Sequence, residues 1–236
     1  MNKTALITGG TKGIGYGIAE VLVKADYNVC ITGRNLEDAQ QAANKLNSIK
    51  IDSAYAVEAD VRSLSAQISC VKKCIEHFGG LDLMVANAGV GYYASIEEMD
   101  PEKWKEVIDT NLTGVFNSIK ASWEALKKSR GYFISIASLA GTNFFAKGSA
   151  YNASKFGVVG FTQSIMLDLR KYGIRVTTIM PGSVTSYFND HEPNEEDAWK
   201  IQPEDIGQMV LHLMQLHPRA LPSKIEIRPT IPPSAK

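Results

Sequence analysis

Ser138, Tyr151 and Lys155 are the residues whose types and spacing are best suited to chemistry. A phenol, an ammonium one helical turn further on and a hydroxyl thirteen residues earlier can together handle the proton of a carbonyl or an alcohol. Tyr151 and Lys155 stand at i and i+4, so one helix face carries both. A free tyrosine has a pKa near ~10 and is a poor base at neutral pH. A cation ~4 Å away favours the phenolate by up to ~4 kcal/mol at an effective dielectric of ~20, an upper limit before desolvation takes some back. Tyr151 is therefore expected to protonate a forming alkoxide, or to take that proton in reverse, while Ser138 hydrogen-bonds the substrate oxygen.

Upstream lies a glycine-rich turn, Thr8-Gly9-Gly10-Thr11-Lys12-Gly13-Ile14-Gly15, between an apolar strand pattern and a helix pattern. Glycine permits unusual backbone geometry and close ligand approach. A helix starting near Gly13 points free amides and a partial positive charge at the turn, a good seat for a pyrophosphate. The spacing is G-x-x-x-G-x-G, and the Gly-Lys-Ser/Thr ending of a phosphate-transfer P-loop is missing. A dinucleotide seat and a proton-handling trio together point to hydride transfer. The second strand ends Ile31-Thr32-Gly33-Arg34. A site that prefers NAD usually places an acid near this end for the ribose hydroxyls. Gly33 occupies that position, and Arg34 and Lys12 supply two cations, which suits the 2′-phosphate of NADP(H).

Several elements must position these groups. Strand patterns cover Thr4–Thr8, Asn28–Thr32, Ala54–Ala59, Leu81–Ala86, Tyr132–Ala137, Ile174–Met180 and Lys224–Arg228. Helical periodicity runs through Ile14–Ala25, Leu36–Leu46 and Leu64–Ile75. It recurs after Asp100-Pro101, over Tyr151–Lys171 and over Pro203–Leu216. The helix after Pro101 is expected to bend or break near Asn111–Gly114, and Gly173 to stop the Tyr151 helix. Apolar strands alternating with amphipathic helices predict an α/β fold: one doubly wound, Rossmann-type domain over residues 1–236, its parallel sheet flanked by helices. Ligands of such folds bind at the carboxyl ends of the strands, where Gly9, Asn87, Ser138 and Pro181 all fall. Residues 183–202 read as a short substrate loop, and 229–236 as an extended, proline-rich tail.

The 236 residues carry 25 basic and 25 acidic side chains, a zero net charge that argues against nucleic acid or an anionic membrane as partner. Cys30, Cys70 and Cys74 read as ordinary thiols in a reducing compartment. The first strand begins by Thr4, leaving no room for a signal peptide, and no apolar run reaches membrane-spanning length, so a cytoplasmic protein is expected.

The chain resembles the classical short-chain dehydrogenase/reductase family from Thr4 to about Phe188. The motifs, in order, are the glycine turn, Asp60-Val61, Asn87-Ala88-Gly89, Asn111, Ser138, Tyr151-Asn152-Ala153-Ser154-Lys155 and Pro181-Gly182. The resemblance implies a seven-stranded sheet, NADP(H) as cofactor and a carbonyl or alcohol as substrate. It also implies a homo-oligomer, tetramer or dimer, pairing the long helices. Under it, Gly9, Thr11, Lys12, Gly13, Ile14 and Gly15 hold the cofactor, and Asp60 and Val61 flank the adenine. Asn87, Ala88 and Gly89 lie near the ribose, and Asn111 holds a water contacting Lys155. Lys155 also binds the nicotinamide ribose, and Pro181, Gly182, Val184 and Thr185 face the nicotinamide, Thr185 near its carboxamide. The chain is similar to 3-oxoacyl-carrier-protein reductases, but Ser129 and Tyr172 stand where their carrier-docking arginines fall, with Arg130 and Lys171 adjacent. A 3-oxoacyl thioester and its acyl carrier protein therefore stay one option among carbonyl substrates. An NADP-binding sensor without catalysis is the alternative reading.

The remaining features have plainer readings. His77, His191, His212 and His217 lack the pairing of a metal site and read as surface histidines. Asp190, Glu192, Glu195, Glu196 and Asp197 read as a solvated acidic loop, with repulsion of anionic substrates as the other option. Tyr92, Tyr93, Phe144, Phe145 and Phe188 read as an apolar substrate wall or as packing beneath loops.

Overall fold

Strand segments of this chain are apolar at nearly every position, which suits a sheet covered on both faces. The computed structural model describes residues 2–232 and has such a sheet. The strands are β1 (Thr4–Thr8), β2 (Asn28–Gly33), β3 (Ala54–Glu58), β4 (Leu83–Ala86), β5 (Tyr132–Ile136), β6 (Arg175–Pro181) and β7 (Lys224–Ile227). The helices are α1 (Gly13–Lys24), α2 (Leu36–Ile49), α3 (Leu64–Phe78), α4 (Pro101–Ile108), α5 (Gly114–Ser129), α6 (Ser149–Leu169) and α7 (Pro203–Gln215). All strand pairs are parallel, in the order β3-β2-β1-β4-β5-β6-β7. This is the expected doubly wound α/β architecture, and its strand order reverses between β1 and β4.

Alternation along each strand divides the core. Ile7, Ile31 and Ile134 join Ile18, Leu22, Leu46 and Val210 in the layer beneath α1, α2 and α7. Leu6, Cys30 and Phe133 point the other way and join Val71, Leu126 and Val158 beneath α3, α5 and α6. Cys30, Cys70 and Cys74 are all buried here as free thiols. Burial and the neighbouring thiols of Cys70 and Cys74 push the Cys30 thiol well above its usual range.

Local chemistry sets the helix starts. Asn35 Oδ1 accepts from the amides of Glu37 (2.7 Å) and Asp38, Ser63 Oγ from Ala66, and Asp100 Oδ1 from Glu102. The expected break near Asn111–Gly114 is a five-residue π-helical turn, Asp109–Thr113, inserted between α4 and α5. Most element boundaries lie within one to three residues of the sequence reading. Helix α6 starts two residues early, at Ser149, and β4 starts at Leu83, just after Asp82, whose backbone bonds to Thr4 and Tyr132 on either side and whose carboxylate accepts the Thr4 amide (2.8 Å). Gly173 ends the α6 region in the left-handed conformation. Residues 233–236 of the expected extended tail lie outside the described residues. Among the described residues no helix is long and apolar enough to cross a membrane, and no cluster of His, Cys, Asp and Glu is placed to hold a metal.

Candidate active site

The turn after β1 is tied to the end of β4. Thr8 Oγ1 accepts from the amides of Asn87 (3.0 Å) and Ala88 (3.1 Å). Asn87 Nδ2 returns to the carbonyls of Thr8 (2.9 Å) and Gly9 (3.1 Å). Gly9 turns through a left-handed backbone conformation, and a Cβ on Gly15 would stand 2.3 Å from its carbonyl oxygen. That approach leaves room for no side chain at Gly15 and keeps the start of α1 bare beside the strand ends. Lys12, at the N-cap, gives α1 no side-chain cap. The first amides of α1 therefore face the cleft, as a pyrophosphate seat requires.

A cavity of about 1190 Å³ runs along the carboxyl edge of the sheet. At one end it is lined by Gly9, Thr11, Lys12, Gly13, Ile14 and Arg34, and next to them by Asp60 and Val61. Asn87, Ala88 and Gly89 border its middle. Ser138, Tyr151 and Lys155 line the other end with Pro181, Gly182 and Val184. One continuous cleft thus brings together groups from six strand ends, and its size and bare backbone fit a dinucleotide. Gly15 lies behind the lining and works through its close approach to Gly9.

Asp60 does not face the cleft as a free carboxylate. Arg62 grips it with Nε (3.0 Å) and Nη2 (2.6 Å), which holds the carboxyl below its ordinary range. Asn111 is buried in the π-helical turn with its amide fully engaged. Its Nδ2 donates to the Val90 carbonyl (2.9 Å) and Ser154 Oγ (3.0 Å), and its Oδ1 accepts from the Val90 amide (2.8 Å). Thr185 stands outside the cavity lining: its hydroxyl accepts from Gln202 Nε2 (3.0 Å) and donates to the Asp197 carbonyl (3.3 Å). The Ser138 hydroxyl accepts from the Ala140 amide (3.1 Å) and stands beside the Tyr151 phenol.

The electrostatics correct one expectation. Lys155 is buried, donates to the Ile136 carbonyl (3.0 Å), and has its pKa lowered to about 8 by desolvation. Its Nζ lies 5.6 Å from the centroid of the Tyr151 ring. Burial pushes the Tyr151 phenol above its usual value, Tyr93 adds to this, and Ser138 opposes it. The Coulomb attraction expected from the sequence is thus outweighed by desolvation, and Tyr151 is a neutral phenol, a proton donor, at neutral pH.

A stability prediction follows from Lys155. Its folded-state pKa of about 8 lies below its unfolded value, so burial penalises the charged form. The penalty is full below pH ~8, fades as pH climbs toward ~10.5, and amounts to about 3 kcal/mol at neutral pH. Lys155→Met is expected to raise Tm at pH 7 by several degrees, with a smaller gain at pH 10, in melts without added cofactor. A lower Tm at pH 7 would show that the hydrogen bond to Ile136 outweighs the desolvation.

Aromatic side chains wall the catalytic end. Tyr93 meets Tyr151 and Phe145 edge-on, and Phe188 leans on Tyr151, all with centroids 5.6 Å apart. Phe144 is 87% exposed and Tyr92 is not among the lining residues, so only part of the aromatic set forms the wall. The acidic loop departs further from its sequence reading. Asp197 is buried, accepts from His191 Nε2 (2.6 Å) and pairs with Lys200. These partners hold its carboxyl down at about 2. His191, Trp199 and Lys200 line the cavity, so His191 is a pocket residue and not a plain surface histidine. Glu192, Glu195 and Glu196 are exposed, and the Asp190 side chain lies outside the described residues. The sequence carried no signal for the His191–Asp197 pair, because neither periodicity nor motif links two loop residues.

Comparison with known proteins agrees with this geometry. The sequence model of the family described as short chain dehydrogenase matches residues 3–197. Trans-4-hydroxycyclohexanecarboxylate dehydrogenase of Sinomonas cyclohexanicum is 37% identical over 187 residues, 77% of this chain and 72% of that one. An X-ray structure of an alcohol dehydrogenase from the archaeon Thermococcus sibiricus, complexed with 5-hydroxy-NADP, superposes with a TM-score of 0.91 at 26% identity and covers 98% and 97% of the two chains. A variant of actinorhodin polyketide ketoreductase with NADPH gives 0.87 at 30% identity, covering 97% and 96%.

Proposed function

The chain belongs to the short chain dehydrogenase family, and from that premise we propose an NADP(H)-dependent carbonyl reductase, reversible as an alcohol dehydrogenase. One observation carries the reading: the phenol of Tyr151, the hydroxyl of Ser138, the glycine turn and Arg34 open into a single cleft. The nicotinamide supplies the hydride when bound. Ser138 anchors the substrate oxygen, and Tyr151 gives its proton to the alkoxide that forms. Lys155 clamps the nicotinamide ribose, and Asn111 holds its helix turn in place beside it. Arg34 and Lys12 bind the 2′-phosphate, the amides of Gly13 and Ile14 the pyrophosphate, and Asp60 and Val61 flank the adenine. Residues 183–202 form the substrate loop of a single domain. Exposed Phe116, Phe156 and Leu167 on α5 and α6 support a homo-oligomer built on the long helices.

The substrate of this reading is a ketone or secondary alcohol. An aromatic wall favours a compact apolar body, and one relative is named for a ring alcohol. A 3-oxoacyl thioester on a carrier protein has less support, since its docking arginines are absent. NADPH loss measured over ring ketones, diketones, quinones, aldehydes and 3-oxoacyl thioesters tests the proposal. Turnover with one carbonyl class is expected. Tight NADPH binding with no turnover on any class would favour the sensor reading.

A further inference from the structure

We propose that His191 recognises an anionic group on the substrate, carried across a ring from the reacting carbonyl, and that Asp197 is the positioning residue that aims it. The inference rests on the carbonyl-reductase reading and deepens it.

Asp197 is a buried carboxylate in a short surface loop. Desolvating Asp197 is costly unless partners repay it, and the loop supplies two, His191 and Lys200. Lys200 already balances the Asp197 carboxylate, so a second proton on the His191 ring would leave the cluster one positive charge over, which a bound anion would meet. Because the carboxylate only accepts, His191 Nε2 carries its proton. This fixes the ring and leaves Nδ1, which has no hydrogen-bond partner among the described residues. The His191 side chain is 35% exposed, and the surface it exposes lines the catalytic cleft.

The position of His191 defines what it can read. Its main-chain amide bonds to the Phe188 carbonyl (3.4 Å), and the Phe188 ring lies against Tyr151. A carbonyl placed at Tyr151 would thus have Phe188 and Tyr93 beside its body, with His191, three residues on from Phe188, lining the same cleft. The aromatic stretch favours a ring, and the basic cluster favours a charge at its distal side. Glu192, Glu195 and Glu196 are solvated and screened, so they oppose an anion weakly. The backbone carbonyl of Asp197 also accepts from Thr185 and Gln202, which fastens this corner of the loop to the segment after β6.

The test compares 4-oxocyclohexanecarboxylate with cyclohexanone. His191→Phe is expected to raise KM for the charged ketone about tenfold, with kcat and the cyclohexanone constants within about twofold. Asp197→Asn should give the same selective loss, and His191→Lys should restore part of it. Calorimetry with cyclohexanecarboxylate on the NADP⁺-loaded protein reads the site without turnover. Equal losses on both ketones, no loss on either, or wild-type enzyme that does not prefer the charged ketone would overturn the inference and leave the reductase standing. Absence of turnover on every carbonyl, with analogue binding that His191→Phe abolishes, would sink the reductase reading and keep the anion site.

Discussion

Tyr151→Phe is expected to lower kcat/KM for ketone reduction about 10³-fold, within the range for a lost general acid, and to leave the Kd for NADPH within about twofold. The substitution removes one hydroxyl and keeps the ring. The edge contact with Tyr93 and the tilted contact with Phe188 use that ring, so the wall stays in place. Ser138 still lines the cleft beside the ring, so under the proposed mechanism the oxygen keeps its anchor and what disappears is the proton. Because burial holds the phenol neutral, reduction should be insensitive to this group through neutral pH and decline only in strong alkali. Oxidation of the alcohol needs the phenolate, so its rate should climb with pH over the same interval. Near-normal turnover of the variant would remove Tyr151 from the reaction. A parallel loss of NADPH binding would make its role structural.

The fold was legible because its signals are local. Leu6 and Ile7 are both apolar although they face opposite layers, and a strand buried on both faces leaves that continuous run. Asn35, Ser63 and Asp100 announce helix starts through side chains that accept nearby amides. The glycine turn and the Tyr151–Lys155 spacing are equally local, and the sheet edge brought them into one cleft. What escaped depends on the path of a loop or on burial. Asp197 reads as one more acid in an acidic stretch until the chain folds it under His191 and Lys200. Thr185 follows Pro181-Gly182 by position, yet Gln202 and Asp197 take its hydroxyl. The pKa of Tyr151 could be argued from charge alone in sequence, whereas desolvation required the walls around it.

Arg34→Asp is expected to reverse the coenzyme preference, moving the NADPH/NADH ratio of kcat/KM about 100-fold, roughly tenfold from the lost guanidinium and tenfold from the acid gained. The neighbouring residues leave position 34 as the place where that choice is made. A Cβ on Gly33 would come 2.7 Å from Thr11 Cγ2, so an acid there requires the Thr11 side chain, itself in the cleft lining, to turn aside. Asp60 is held by Arg62 and is not free to bind a ribose diol. Lys12 lines the cleft but places its ammonium 5.4 Å from the Tyr187 ring centroid, shared between the turn and the loop above it. Lys12→Ala should therefore weaken NADPH binding less than loss of the guanidinium, which can meet phosphate oxygens in a planar fork. Steady-state constants with both coenzymes, at fixed ionic strength, decide the matter. An unchanged ratio in Arg34→Asp would assign the 2′-phosphate to Lys12, and an unchanged ratio in both variants would remove the preference for NADP from this end of the cleft.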